Sequence, residues 1–434
     1  MAQPKIIVLD DDPTGSQTVH SCLLLMRWDE TTLVQGLQDS SPICFVLTNT
    51  RALSPIAAAQ VTRQVCQNLK RAIAQADIED FLIVSRSDST LRGHYPVETD
   101  VIAAELGPFD AHFLVPAFFE GGRITRDSRH YLLVEGVPTP VEQTEFARDS
   151  VFGYSTSYLP DYVAEKTRDR IPAHQVQRFT LPDLRQGCLD RLLTLQGNTC
   201  CVVDGETQAD LDAFARDVLM AATRGKRFLF RSAASLLTAL AALPQPIGAE
   251  HMGRYVRGKA PGVVVVGSHV QKTTQQLQQL LQQPGVTGIP VDVTQLQESG
   301  PGPLLEEIRH QVEQIYGEGQ TPVVYTSRQE LSFATVAARL DFGSQVSALL
   351  MAVIQGLPAD IGFLISKGGI TSNDTLSTGL NLTSARLLGQ ILPGVSVVRT
   401  PVHHPQFPDL PVVLFPGNVG DDQALVTVYQ RLHQ

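Results

Sequence analysis

Along its whole length the chain repeats one device. A short apolar run, too short for a buried helix, ends in a polar turn and is followed by a stretch with helical periodicity. The first run, Ile6-Ile7-Val8-Leu9, passes directly into Asp10, Asp11 and Asp12, and Pro13-Thr14-Gly15 then turns the chain. Further strand candidates in the first half are Cys22–Met26, Ile43–Leu47, Phe81–Val84, His112–Val115, Cys200–Val203 and Phe228–Phe230. Between the second and third of these a helix is predicted from Ser54, a good N-cap, and Pro55, which fits a first turn. Ala58, Val61, Val65, Leu69 and Ile73 then recur at spacings of three and four. Strands that alternate with helices demand crossover connections, and hence mainly parallel pairing.

The pattern lapses once. Across 244–261, Pro244, Pro246, Gly248, Gly253, Gly258 and Pro261 break any periodicity. It then restarts with strands at Val263–Val266, Ile289–Val291, Val323–Tyr325, Ile361–Ile365, Val395–Val398 and Val412–Phe415. Helices are expected near Thr273–Leu281, Leu304–Ile315 and Val346–Ile354, from Asn373 and from Asp422. A chain of 434 residues exceeds one core of ordinary size. The expectation is therefore an α/β protein of two domains, 1–243 and 262–434, with 244–261 as linker. Each domain carries a mostly parallel sheet flanked by helices, and the active site is expected in the interdomain cleft.

The polar turns carry the chemistry. In an open α/β sheet, ligands lie beyond the carboxyl ends of the strands. Three adjacent carboxylates at such an end repel unless a cation or basic ligand offsets them. Three basic blocks follow other strands of the first half: Thr48–Arg51, Ser85–Gly93 and Pro116–Thr125. Each sets an arginine (Arg51, Arg92, Arg123) among hydroxyls. The guanidinium fork suits a carboxylate, and hydroxyls suit polyol oxygens. Together the blocks describe a pocket for a small hydroxy acid.

The second half has three glycine-bearing turns from strand to helix: Gly267-Ser268-His269, Ser366–Ser372 with Lys367, Gly368 and Gly369, and Pro416–Asp422 with Gly417, Asn418 and Gly420. Glycine lets backbone approach a ligand, and free N–H groups favour phosphate. Three such turns in one domain favour a nucleotide, with Lys367 adding a point charge, although no Walker A motif is present.

A net charge of −10 argues against a nucleic-acid surface. No signal-peptide pattern opens the chain and no apolar stretch approaches transmembrane length, so a cytoplasmic protein without a membrane partner is expected. Cys22, Cys44, Cys66, Cys188, Cys200 and Cys201 show no C-x-x-C spacing and read as reduced core residues. His269, His403 and His404 read as structural or solvated.

Asp10-x-Asp12-x-Thr14 after a strand also matches the opening motif of haloacid-dehalogenase-type phosphatases, with Asp10 as nucleophile. That reading leaves the glycine turns and the basic blocks unexplained and ranks second.

Taken in order, Asp11-Asp12-x-Thr14-Gly15, Asp88-Ser89-Thr90-Leu91-Arg92-Gly93 and Gly368-Gly369-x-Thr371 resemble the four-carbon acid sugar kinase family, and the resemblance spans nearly the whole chain. It implies an N-terminal domain for the acid sugar and a C-terminal domain for ATP. By motif match Ser268, Gly368, Gly369, Ile370, Thr371 and Gly417 would contact ATP. The expected reaction is ATP-dependent phosphorylation of a hydroxyl on a small, four-carbon sugar acid such as a tetronate or keto-tetronate. Asp11, Arg51, Asp88, Ser89, Arg92, Gly93 and Arg123 would bind the acid. Lys367, Asn418 and Gly420 would join the ATP site, and Asp421 or Asp422 would orient Mg²⁺. Asp12 is the candidate base and Asp11 its orienting partner; Asp10, Asp11 and Asp88 stay open as alternatives for the base. The sequence leaves a homodimer open.

Overall fold

The computed structural model describes residues 3–12, 15–16, 18–296, 300–328 and 335–433. Pro13 and Thr14 of the first motif lie outside the described residues. The chain divides into two compact units, Met1–Pro244 and Gln245–Gln434.

In the first unit, parallel strands β1 (Lys5–Asp10), β2 (Leu23–Leu25), β3 (Ile43–Leu47), β4 (Phe81–Arg86) and β5 (Ala111–Val115) are followed by a small antiparallel sheet. That sheet comprises β6 (Arg123–Arg126), β7 (Arg129–Val134) and β8 (Val137–Pro140). The parallel sheet resumes with β9 (Gln177–Phe179), β10 (Thr199–Val203) and β11 (Phe228–Ser232), in the order β2-β3-β1-β4-β11-β5-β10-β9. Ile6, Ile7 and Val8 are completely buried because helices cover both faces of the sheet. The expected helix forms as Pro55–Gln75. Ser54 caps it by accepting from Ala57 N, and Val65, Cys66, Leu69 and Ala72 lie buried against β1 and β3 in one core.

Register positions the site. Leu47, Asp10, Arg86, Ser232 and Val115 stand side by side across five neighbouring strands. The turns that follow these residues therefore emerge along one sheet edge. Chain order reverses on either side of β1, so the acidic turn lies at a topological switch point, where α/β sheets bind ligands.

The second unit holds β12 (Val263–Val266), β13 (Val286–Val291), β14 (Thr321–Thr326), β15 (Leu364–Lys367), β16 (Ser384–Leu392), β17 (Val395–Arg399) and β18 (Pro411–Phe415), in the order β13-β14-β12-β15-β18-β17-β16. The first five of that order are parallel; β17 and β16 complete the sheet antiparallel. Tyr325, Val266, Lys367 and Phe415 stand in one row, so the turns after β12, β15 and β18 leave the same edge.

Several expectations shift. The strand expected at Ile361–Ile365 runs Leu364–Lys367, so Lys367 ends a strand instead of opening a turn. The helices expected from Asn373 and Asp422 are Gly369–Asp374 and Ala424–His433. Much of 244–261 packs onto the second unit: Ala249–Tyr255 is a 3-10 segment whose Met252 is wholly buried in that core. All six cysteines are buried free thiols. Among the described residues, no helix is long and apolar enough to cross a membrane.

Candidate functional site

At the end of β1 three consecutive carboxylates are sorted by depth. Asp10 has no exposed surface, Asp11 has 1%, and Asp12 keeps 27% of its side chain in solvent. Asp10 Oδ1 accepts from Asp12 N at 3.3 Å and lies 3.6 Å from Arg86 Nη1; its Oδ2 meets no hydrogen-bond donor among the described residues. Burial pushes the Asp10 carboxyl up to about 7, with Arg86 only partly offsetting it. Gly15 packs against this carboxylate so closely that no Cβ fits. A nucleophile needs an exposed oxygen, and the phosphatase alternative, which gives that task to Asp10, meets none here.

Asp11 is gripped by a fork. Arg51 donates from Nη2 to Oδ1 at 2.5 Å and from Nε to Oδ2 at 3.1 Å, while Ser87 Oγ donates to Oδ2 at 2.9 Å. The remaining arm, Nη1, donates to Asp12 Oδ2 at 3.0 Å. Arg51, read from the sequence as a ligand anchor, is thus turned to protein carboxylates. Its neighbour Thr50 donates to Glu98 Oε1 at 2.5 Å, which fixes the short turn Thr50–Ala52 against the helix Val97–Leu106. Burial, reinforced by the Asp11 charge, raises Glu98 to about 7.

Arg92 is divided between Asp88 (Nε to Oδ2, 2.9 Å), Asp149 (3.7 Å) and the ring of Phe146 (4.9 Å to its centroid). Burial alone would raise Asp88, but Arg51 and Arg92, with the Thr90 hydroxyl, hold it below the usual carboxylate range. Arg123 differs from both. Its guanidinium contacts the Gly121 carbonyl and the Phe118 ring, and it meets no carboxylate within 4 Å among the described residues. Burial lowers its pKa, and Nε has no acceptor among the described residues. Of the three arginines, Arg123 alone keeps its charge unmatched by a close ion pair. Gly93 sits at φ +113 with Ser87 Oγ where a Cβ would stand, so any side chain there would displace the Asp11 partner.

In the second unit the three glycine turns meet. Gly267 N and Ser268 N both donate to Lys367 O, at 3.2 and 3.3 Å, and Gly368 N donates to Phe415 O at 2.8 Å. Thr273 Oγ1 ties Ser268 Oγ (3.2 Å) to the Gly417 carbonyl (2.7 Å). A Cβ on Gly417 would stand 2.7 Å from Ser268 Oγ, and one on Gly368 3.0 Å from Thr371 Oγ1. The turns close on one another only as glycines. Gly369, Ile370, Asn418 and Gly420 form their exposed rim.

Lys367 does not extend to that rim. It is wholly buried, its Nζ donates to Pro416 O at 2.6 Å and lies 3.8 Å from the Phe415 ring centre, and burial lowers it to about 7. Its ammonium braces the third turn from within. Asp421 and Asp422 are exposed. Asp421 Oδ1 accepts from Gln423 N, and Asp422 lies 3.7 Å from Lys272. Among the described residues, no three His, Cys, Asp or Glu side chains cluster as a metal site. These two acids have oxygens of the right chemistry for Mg²⁺ but supply fewer than a cation requires, leaving the balance to phosphate and water.

Reading the sequence missed Arg231. It stands 2% exposed at the end of β11, donating from Nη2 to Ser87 Oγ (2.9 Å) and to Arg92 O (2.6 Å). Its position directly after Phe228–Phe230, like the other arginines after apolar runs, is the signal that could have found it. Arg86, inside a quoted block but given no role, is the counter-charge of Asp10.

Comparison with known proteins agrees with this division. A sugar-binding N-terminal domain matches residues 6–240, and a nucleotide-binding C-terminal domain matches residues 263–425. The chain belongs to the four-carbon acid sugar kinase family. Relatives within this kinase family include D-erythronate kinase of Heliobacterium modesticaldum, 29% identical over 63% of this chain, and D-threonate kinase of Bordetella bronchiseptica, 27% identical over 37%. The alignments span 59% and 39% of those relatives' own lengths. Among solved structures, a Salmonella typhimurium LT2 protein carrying a tRNA-synthase name superposes with a TM-score of 0.73 at 18% identity, covering 98% of both chains. A Haemophilus influenzae protein from a domain family of unknown function gives 0.66 at 17%, covering 99% of this chain and 100% of its own. At such identities the likeness is one of fold.

Proposed function

We propose that this protein is an ATP-dependent kinase that phosphorylates a hydroxyl of a small sugar acid, of the four-carbon tetronate or keto-tetronate class. The observation that carries the reading is the sequence of two matched domains, one sugar-binding and one nucleotide-binding, in a chain whose relatives are named for erythronate and threonate phosphorylation.

The geometry supports a division of roles. Arg123, whose guanidinium is balanced by no close carboxylate among the described residues, anchors the acid's carboxylate. Asp88, Ser89, Arg92 and Gly93 form the neighbouring wall. Asp12, the most exposed of the three consecutive acids, takes the proton from the accepting hydroxyl as its oxygen bonds to the γ-phosphorus of ATP and ADP leaves. Asp11 and Arg51 hold Asp12 in place. In the second unit the glycine turns at Ser268, Gly368–Thr371 and Gly417–Gly420 receive the triphosphate on backbone N–H groups. Mg²⁺, when bound, would neutralise phosphate charge, and Asp421 and Asp422 are the acids proposed to orient it. Phosphoryl transfer asks for alignment and charge neutralisation more than covalent catalysis, which fits a site rich in fixed charges and poor in nucleophiles.

The test is an ATP-consumption screen over four-carbon sugar acids and their keto forms, with Mg²⁺ present. Turnover with at least one acid, and none with the corresponding neutral polyols, is expected. A flat response from folded protein would overturn the reading.

A further inference from the structure

The loop Asp88–Gly93 has an unusual hydrogen-bonding pattern. Its five successive carbonyls, from Asp88 to Arg92, each accept from a side chain. Arg231 Nη1 reaches Asp88 O at 3.4 Å, His130 Nε2 reaches Ser89 O at 2.7 Å, and Tyr154 OH reaches Thr90 O at 2.7 Å. Tyr162 OH reaches Leu91 O at 2.7 Å, and Arg231 Nη2 reaches Arg92 O at 2.6 Å. All four donor residues are buried, at 0 to 7% exposure. His130 bonds a carbonyl through Nε2, so that nitrogen carries the proton and Nδ1 accepts from Thr125 Oγ1 at 2.9 Å; burial takes the imidazole down to about 4, which keeps it neutral.

The amides of the same loop are treated in the opposite way. Thr90 N donates to Asp88 Oδ2 and Leu91 N closes a turn onto Asp88 O, but Ser89, Arg92 and Gly93 donate from their backbone N–H groups to no acceptor among the described residues. Ser89 and Gly93 are buried residues. Buried N–H groups without partners are rare, and each calls for a ligand or water. Leu91 at φ +66 and Gly93 at φ +113 both turn the backbone into the left-handed region two residues apart, and such turns gather nearby N–H groups into a concavity for an anion. Arg231 Nε, also buried, has no acceptor among the described residues, and the charge of Arg123 acts on Asp88 and Arg92 of this loop.

We propose that Asp88–Gly93 is a backbone-amide site for the substrate's carboxylate, and that His130, Tyr154, Tyr162 and Arg231 are positioning residues that build it. By drawing every carbonyl away, they leave the N–H groups facing the ligand. Three of the four, His130, Tyr154 and Tyr162, come from the excursion Arg123–Thr167, which carries the antiparallel sheet and the helix Leu159–Thr167. This excursion thereby has a task in substrate selection. The proposal rests on the kinase reading only for the identity of the anion.

The test uses Tyr154→Phe and Tyr162→Phe, which delete one hydroxyl each and keep the ring, together with amide NMR of the ¹⁵N-labelled full chain. Each variant is expected to raise KM for the accepted sugar acid about five- to tenfold with a smaller change in kcat. Binding of erythritol, which has no carboxylate, should be unaltered; a merely structural defect would weaken both ligands alike. In the parent protein, the amides of Ser89, Arg92 and Gly93 should shift on titration with D-erythronate or D-threonate. Acetate is the probe if neither acid is a substrate. Amide shifts with acetate but no turnover would sustain this site while removing the kinase reading. Turnover with unmoved loop amides, unchanged KM in both variants, or no response of these amides to any of the three anions would overturn the proposal.

Discussion

Arg51 holds Asp12 by one 3.0 Å bond from Nη1 to Oδ2, while Nε and Nη2 of the same guanidinium close on both oxygens of Asp11. One planar cation thus orients an exposed acid against a buried one. Asp12→Asn keeps the shape and removes the basicity. Turnover should fall by about 10²–10⁴-fold, with the melting temperature little changed and KM for the sugar acid within a few-fold. Steady-state kinetics beside a thermal melt decide it; turnover near the parent value would remove Asp12 as base.

Arg123 faces no carboxylate within 4 Å among the described residues, and an anchoring role follows from that. Arg123→Ala should raise KM for the sugar acid by roughly 10- to 100-fold, as expected for loss of a charge-assisted contact, and leave KM for ATP unchanged. Arg123→Lys should recover only part of the loss, because an ammonium cannot fork. An unaltered acid KM in Arg123→Ala would show that the anchor lies elsewhere.

Asp10 gives a pH signature. Its carboxyl stands near 7 in the fold against 3.8 ordinarily, chiefly through burial. Between those values the folded state holds more protons than the unfolded, so stability is greatest below pH 4 as far as this group is concerned and declines as pH climbs to 7. The full span is on the order of 4 kcal/mol. Asp10→Asn should flatten this part of the profile, so that urea midpoints at pH 5 and pH 8 differ less than in the parent. Equal pH dependence in the two proteins would mean that Asp10 does not titrate in this range.

Lys367 carries the opposite sign. Burial lowers it to about 7 from 10.5, so the unfolded chain binds the extra proton in that window and stability rises with pH through it. Lys367→Met fills the same slot without the charge. The rise between pH 7 and pH 10 should shrink, and loss of the bond to Pro416 O should loosen the turn at Gly417 and raise KM for ATP. If Lys367 instead touched phosphate directly, ATP binding would fail outright with the pH profile unaltered.

Much of the fold was legible because parallel strands buried on both faces must be unbroken apolar runs. Ile6–Leu9, Ile43–Leu47 and Val263–Val266 admit no other reading. The hairpins β6–β8 were not legible: Leu133, Val134 and Val137 are exposed, so no burial pattern marks them. β16 escaped because two register irregularities interrupt its pairing with β17 and disturb its alternation. The acidic turn, the basic blocks and the glycine turns were visible as local clusters, since each follows directly from a strand end.

What the linear order of residues determined is the kind of group placed at each strand end: acids after β1, arginines after β3 and β4, glycines after β12, β15 and β18. What folding alone decided is which charge meets which. Arg51 turns to Asp11 from 40 positions away, Lys367 to Pro416 from 49, and Arg231 to Ser87 from 144. A guanidinium binds whatever carboxylate or carbonyl the strand register sets within 3 Å of it. That register is a property of the sheet as a whole, set by side chains far along the chain from any one motif.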